Sequence, residues 1–133
     1  MAGPEAPRRQ SLRRKDLHVI LKNLFLQGIF PFHGAGLEKP IPIHSQLSRY
    51  VPDGMINQTL YFRGGNSSPE LITVVLMRDG IPMRYFPIGA KGNIHVPLRV
   101  VEDIEGGSLI ELRLLADTGV SGSVVVDLGM VEH

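Results

Sequence analysis

Residues 71–86 read Leu-Ile-Thr-Val-Val-Leu-Met-Arg-Asp-Gly-Ile-Pro-Met-Arg-Tyr-Phe. The first half, Leu71–Arg78, is β-branched and apolar on both faces, the pattern of a central strand covered on both sides. Asp79-Gly80 follows, flanked by apolar runs, which is the strongest short hairpin signal because both central residues tolerate positive φ. Ile81–Phe86 is then the return strand, and Pro82 places it at a sheet edge, where a missing N–H costs no ladder bond. This hairpin sets the class of the chain.

Toward the C-terminus the period stays at two. Ile94, Val96, Leu98 and Val100 share one face of Ile94–Val101. In Leu109–Leu115, Ile110, Leu112 and Leu114 oppose Glu111 and Arg113. In Ser123–Val131, Val124, Val126, Leu128 and Met130 oppose Ser123, Asp127 and Gly129. Alternation sustained over three segments with turns between them excludes helices. The expected core is Ile72, Val74, Leu76, Val96, Leu98, Ile110, Leu112, Leu114, Val124, Val126 and Leu128. Toward the N-terminus, Thr59–Arg63 is a further short strand and Gly64–Ser67 reads as a turn cluster. The expectation is an all-β antiparallel sandwich or jelly roll of six or seven strands, with a short amphipathic N-terminal helix.

That helix rests on Leu17, Ile20, Leu21, Leu24 and Phe25, which fall at i, i+3, i+4, i+7 and i+8. Ser11 suits the N-cap, Gly28 the left-handed C′ position, and Pro31 forbids continuation. Three regions result: a basic arm with its helix over 1–27, a loop-rich connection over 28–57 punctuated by Pro and Gly, and a β-sandwich over 58–133. In the connection, Ile41 and Ile43 flank Pro42 as a short edge strand. Deleting 1–27 should then leave a folded β domain.

The chain has 133 residues, enough for one domain with its own core. It contains no cysteine, which rules out disulfides, thiolate metal sites and a cysteine nucleophile. No apolar run reaches the roughly 18 residues of a membrane span. Arg13-Arg14 precedes an apolar run as in a twin-arginine leader, but Lys22 and Asn23 interrupt the run and no small-residue cleavage site follows. The expected location is cytoplasmic. The net charge of +1 hides an asymmetry, because residues 1–27 carry six basic and two acidic side chains, the remainder eight and eleven.

Chemistry-bearing patterns are few. Asp117-Thr118-Gly119 after an apolar run is similar to the catalytic loop of aspartic proteases, but only fourteen residues follow Gly119, too few for the strands and flap that fold requires. A hairpin turn accounts for it. None of the five histidines forms H-x-H or H-x-x-x-H. His33, His44 and His95 are the candidates to converge on a metal. No cofactor motif is present: Gly89-Ala90-Lys91-Gly92 has the wrong spacing to cradle phosphate. Asn57-Gln58-Thr59 and Asn66-Ser67-Ser68 match the glycosylation pattern, which matters only in a secreted chain. Arg8, Arg9, Arg13, Arg14 and Lys15 form a basic cluster for anions or nucleic acid, without aromatics for base stacking.

Residues 74–82 and 101–115, with Gly106-Gly107 before Ser108–Leu112, resemble the late strands of TNF/C1q-like jelly rolls. The likeness extends over residues 70–131. In that family a hairpin carries an Asn-Gly or Asp-Gly turn and a small-residue turn introduces a later strand, although Gly107-Ser108 stands here for the usual Gly-Asp. The resemblance implies a homotrimeric, non-catalytic interaction module. The expected function is a structural or interaction protein that self-associates through its β domain and N-terminal helix. Leu17, Ile20, Leu21, Leu24 and Phe25 are the expected oligomer contact, with a further protein partner in view. Two alternatives are a coat-like or packaging protein that binds nucleic acid through the arm, and a small metal-binding enzyme using the loop histidines.

Overall fold

A computed structural model describes residues 21–133. Ten strands follow in chain order: β1 (Lys22–His33), β2 (Gly36–Pro42), β3 (Ser48–Tyr50), β4 (Ile56–Asn66), β5 (Ile72–Arg78), β6 (Ile81–Ile88), β7 (Asn93–Pro97), β8 (Ile104–Glu105), β9 (Leu109–Ala116) and β10 (Ser121–Glu132). They form two sheets, β1-β10-β4-β7 with β8 beside β4, and β2-β9-β5-β6 with β3 beside β9. Every pairing is antiparallel. The chain crosses between the two five-stranded sheets at six of the nine connections, and antiparallel sheets linked in this way form a jelly roll. No helix occurs among the described residues.

The Asp79-Gly80 hairpin forms as the sequence requires. Arg78 pairs with Ile81, and φ is 52° at Asp79 and 78° at Gly80. Asp79 also ties the hairpin tip to β9: its N–H donates to the Leu109 carbonyl (2.9 Å), and its Oδ1 accepts from the Leu109 N–H (2.8 Å). β6 is an edge strand, and the ladder is irregular at Leu76/Met77, opposite Pro82.

The core lies between the sheets. Val124, Val126 and Leu128 of β10 and Phe62 of β4 face Ile72, Val74 and Leu76 of β5 and Ile110, Leu112 and Leu114 of β9, all essentially without solvent exposure. Phe62 stacks on Phe86 with ring centroids 4.4 Å apart, so aromatic packing crosses the layer. Val96 and Leu98 pack against this core but remain half-buried. A polar tie joins the sheets at one end. Glu132 Oε1 of β10 accepts from Arg49 Nη2 of β3 (2.5 Å) and from Asn57 Nδ2 of β4 (3.0 Å).

Four expectations are corrected. Lys22–Gln27, read as the end of a helix, begins a twelve-residue strand, while residues 1–20 lie outside the described residues. Leu24, Leu26, Phe30 and Phe32 alternate inward along β1 in unbroken register with β10, and that long-range ladder outweighs the local helical period. The sandwich therefore starts at residue 22, and deleting 1–27 would remove half of β1.

The connection over 28–57 also supplies β2 and β3. Pro40 and Pro42 are accommodated because β2 is an edge strand with an irregular register. Gly64–Asn66 continues β4 instead of turning. A Cβ on Gly64 would lie 2.7 Å from Ile88 and Phe62, so glycine is what lets the strand pass. Finally, Ala116–Gly122, expected as a hairpin connection, is a corner between sheets from the end of β9 into β10, closed by the Val120 N–H donating to the Asp117 carbonyl (3.1 Å).

Candidate interaction face

On β1 the odd-numbered side chains point away from the core. Phe25 is 50% exposed and Ile29 70%. On β10 the outward residues are Val125, 42% exposed, Asp127 and Gly129. The register places Ile29 beside Val125 and Phe25 beside Gly129. Gly129 in turn opposes Tyr61 of β4, and a Cβ at Gly129 would lie 2.0 Å from the Tyr61 ring. Glycine at this position lets the tyrosine lie across the strand.

Beside the apolar row lies a polar patch. The Tyr61 hydroxyl donates to the Asp127 carboxylate, 3.2 Å from Oδ1 and 3.3 Å from Oδ2. Burial pushes the Tyr61 hydroxyl up from the usual phenol range, and the Asp127 carboxylate pushes it further. His95 of β7 meets the Tyr61 ring edge-on at 6.0 Å. Arg63 opposes both Asp127 and His95 in the ladders. A shallow depression of about 590 Å³ is lined by Arg63, Gly65, Asn93, His95, Val125 and Asp127. A second, of about 490 Å³, shares Val125 and Asp127 and extends to Gln27 and Ile29. The outer face of this sheet is thus one continuous shallow surface. It offers apolar contact, a carboxylate, a guanidinium and a phenol.

The candidate metal ligands stay apart. His33 is exposed at the end of β1, and His95 lies on the outer face. His44 follows β2, stacks on Phe30 at 4.6 Å, and accepts through Nδ1 from the Gln46 N–H (3.0 Å). No group of three His, Cys, Asp or Glu side chains among the described residues is placed to hold a metal. Strand pairing sends each histidine to a different part of the sandwich.

Arg8, Arg9, Arg13, Arg14, Lys15, Leu17 and Ile20 lie outside the described residues. Leu21 is exposed, Leu24 packs toward the core, and Phe25 faces outward, so these three do not share a stripe. Strand geometry separates what helical spacing would have gathered. Asp117 sits in the corner between β9 and β10. Asn57 and Asn66 are buried. Asn57 Nδ2 serves Glu132, and Asn66 Nδ2 serves the Glu70 carbonyl at 2.7 Å, so both amides are structural. Reasoning from sequence missed Ile29, Val125, Tyr61 and Asp127. The signal that was available for Ile29 is the alternation of Phe25, Gln27 and Ile29 against Leu24, Leu26 and Phe30.

No helix among the described residues is long and apolar enough to cross a membrane. No family model matches the chain, and no curated protein does. Among solved structures it is similar to a carbohydrate-binding module, CBM36, in complex with calcium and xylotriose. That match has 18% identity and a TM-score of 0.49, over 83% of this chain and 98% of that one. A family 35 carbohydrate-binding module from Clostridium thermocellum matches at 13% identity and TM-score 0.47, over 82% and 97% of the two chains. The infectious bursal disease virus VP2 subviral particle matches at 12% identity and TM-score 0.46, over 84% of this chain and 32% of that one. These likenesses concern the path of the chain and carry no argument about function. The jelly roll stands on the strand order itself, and the finer TNF/C1q resemblance gains no support from them.

Proposed function

We propose that this chain is a non-catalytic structural or interaction module that self-associates through its β domain, using the outer side of the β1-β10-β4-β7 sheet. The observation that supports this reading is the uncovered apolar pair Ile29 and Val125 on adjacent strands, with Phe25 exposed two outward positions further along β1. Isolated exposed apolar residues are ordinary, but a contiguous patch bordered by polar groups marks a contact surface. Here Asp127 and Arg63 border the Ile29–Val125 pair, and Gln27 separates that pair from Phe25 along β1.

The test is the mass of the full chain in solution, by sedimentation velocity over a range of concentrations. The expected result is an oligomer that the double substitution Ile29→Glu, Val125→Glu dissociates into a cooperatively folded monomer. A full-length chain that is monomeric at every concentration overturns the reading.

A further inference from the structure

We infer that β1 is the seam of that assembly: two copies join β1 to β1 antiparallel, about a two-fold axis at Gln27, into one continuous sheet. This seam presupposes the self-association proposed above and specifies its geometry.

An edge strand offers unpaired N–H and C=O groups to any other strand, and proteins blunt such edges with proline, charge, bulges or brevity. The other edges here are blunted. β2 carries Pro40 and Pro42 and an irregular register. β6 carries Pro82 and Pro87, and the ladder is irregular opposite Pro82. β7 has five residues and ends at Pro97, while β3 and β8 have three and two. β1 is different. It has twelve residues in uninterrupted register with β10, one charge at its first residue, Lys22, and one proline, Pro31, near its end. Among the described residues, no strand pairs with its other side.

The direction of the free groups follows from the ladder. The Gly34 N–H donates to the Val120 carbonyl, continuing the register in which His33 pairs with Ser121. Even-numbered residues of β1 therefore spend their N–H and C=O on β10. Asn23, Phe25, Gln27 and Ile29 turn theirs to the open side.

With Gln27 opposite its own copy, Phe25 opposes Ile29 of the second chain, and the reverse pair repeats across the axis. Directly opposed side chains in such a ladder have Cβ atoms about 4.5–5.5 Å apart. The row Val125, Ile29, Phe25 then runs unbroken from one copy into the next. On the inner side Leu24, only half-buried in one copy, opposes Phe30 of the other. Pro31 opposes Asn23 and ends the ladder.

Charge selects the antiparallel direction. Residues 1–20 carry five basic and two acidic side chains and enter each copy at the start of β1. In this register Lys22 opposes Phe32, so the two entry points are separated by about ten residues of strand, roughly 34 Å at 3.4 Å each, well beyond the Debye length of about 8 Å. A parallel pair would set two like-charged arms side by side. The occupant that satisfies register, apolar matching and charge together is a second copy of this chain.

The deciding variant is Gln27→Pro in the full chain. It removes an N–H from the open side and none from the β10 ladder, so the sandwich should still fold cooperatively, losing only the stability that association adds. The expected sedimenting mass falls twofold, from dimer to monomer. Independently, Gln27→Cys supplies the single thiol of a cysteine-free chain. On mild oxidation it should give a reducible covalent dimer, whereas Tyr85→Cys, exposed on the other sheet, should not.

Gln27→Pro that folds and keeps the parental mass overturns the seam. So does Gln27→Cys that cross-links no faster than Tyr85→Cys, and this measurement decides the matter if the proline variant fails to fold. Retained mass in Gln27→Pro, together with dissociation of Ile29→Glu, Val125→Glu, would remove the seam and leave the self-associating face standing. A monomeric parent removes both.

Discussion

The outer sides of β5 and β1 carry the same kind of residue and meet opposite fates. Val75 and Met77 point away from the core, yet they are 0% and 2% exposed. Phe25 and Ile29 also point away from the core, and half or more of each is in solvent. The difference is lateral. Val75 has Tyr85 on one side and Arg113 on the other, and Met77 has Pro82 and Glu111. Arg113 is held to Glu111 at 3.0 Å. Long side chains on flanking strands cover an apolar neighbour with their stems while keeping their charges wet. Ile29 has Val125 on one side and, among the described residues, no strand on the other. An interior strand is covered by its own sheet, while an edge strand needs something else.

The largest expected effect tests whether both sheets share one core. Leu112→Ala, at 2% exposure, should lose about 2–5 kcal/mol in urea unfolding, through lost burial and the cavity left behind. Unfolding should remain a single transition, since removing the interface between sheets removes both. A loss near zero would mean that the strand register is wrong.

Next is the tie between the sheets. Glu132→Ala leaves Arg49 and Asn57 without their acceptor and should cost about 1.5–3 kcal/mol. Burial alone would raise the Glu132 carboxyl. Hydrogen bonds from Arg49 and Asn57, with the Arg49 charge, outweigh it and hold the group below its ordinary range. A carboxyl lowered in the folded state contributes stability that is fully present above its unfolded range and is lost as pH falls through the folded value. Melting temperature should therefore drop on the acid side, and Glu132→Gln should flatten that drop.

The comparison itself is sharpened by two matched substitutions. Met77→Ala should cost about 2 kcal/mol, at the low end for a buried methionine, because Met77 lies outside the cluster packed between the sheets. Ile29→Ala should change the stability of the single copy by less than about 0.5 kcal/mol while weakening association. Equal losses at the two sites would erase the distinction between a closed and an open outer face.

The smallest effect belongs to Asp117→Asn. The corner uses the Asp117 carbonyl, and among the described residues its carboxylate makes no hydrogen bond, so stability and any activity should both be unchanged. Loss of a measured activity with the fold intact would end the non-catalytic reading.

Pattern of period two over residues 109–131, the apolar run 71–78 and the Asp79-Gly80 turn were enough to predict an antiparallel sandwich and to name Ile72, Val74, Leu76, Ile110, Leu112, Leu114, Val124, Val126 and Leu128 as core. Those signals are local: alternation sets which side of a strand is apolar, and two residues that tolerate positive φ set a hairpin. β1 was hidden because Leu24 belongs both to a helical series from Leu17 and to a strand series toward Phe32, and Gly28 interrupts the latter. Its partner β10 lies about a hundred residues away, and only pairing with it decides between the two periods. The interaction face was hidden for the same reason. Val75 and Ile29 look alike as residues, and what separates them is the number of strands beside each, which no stretch of sequence around them contains.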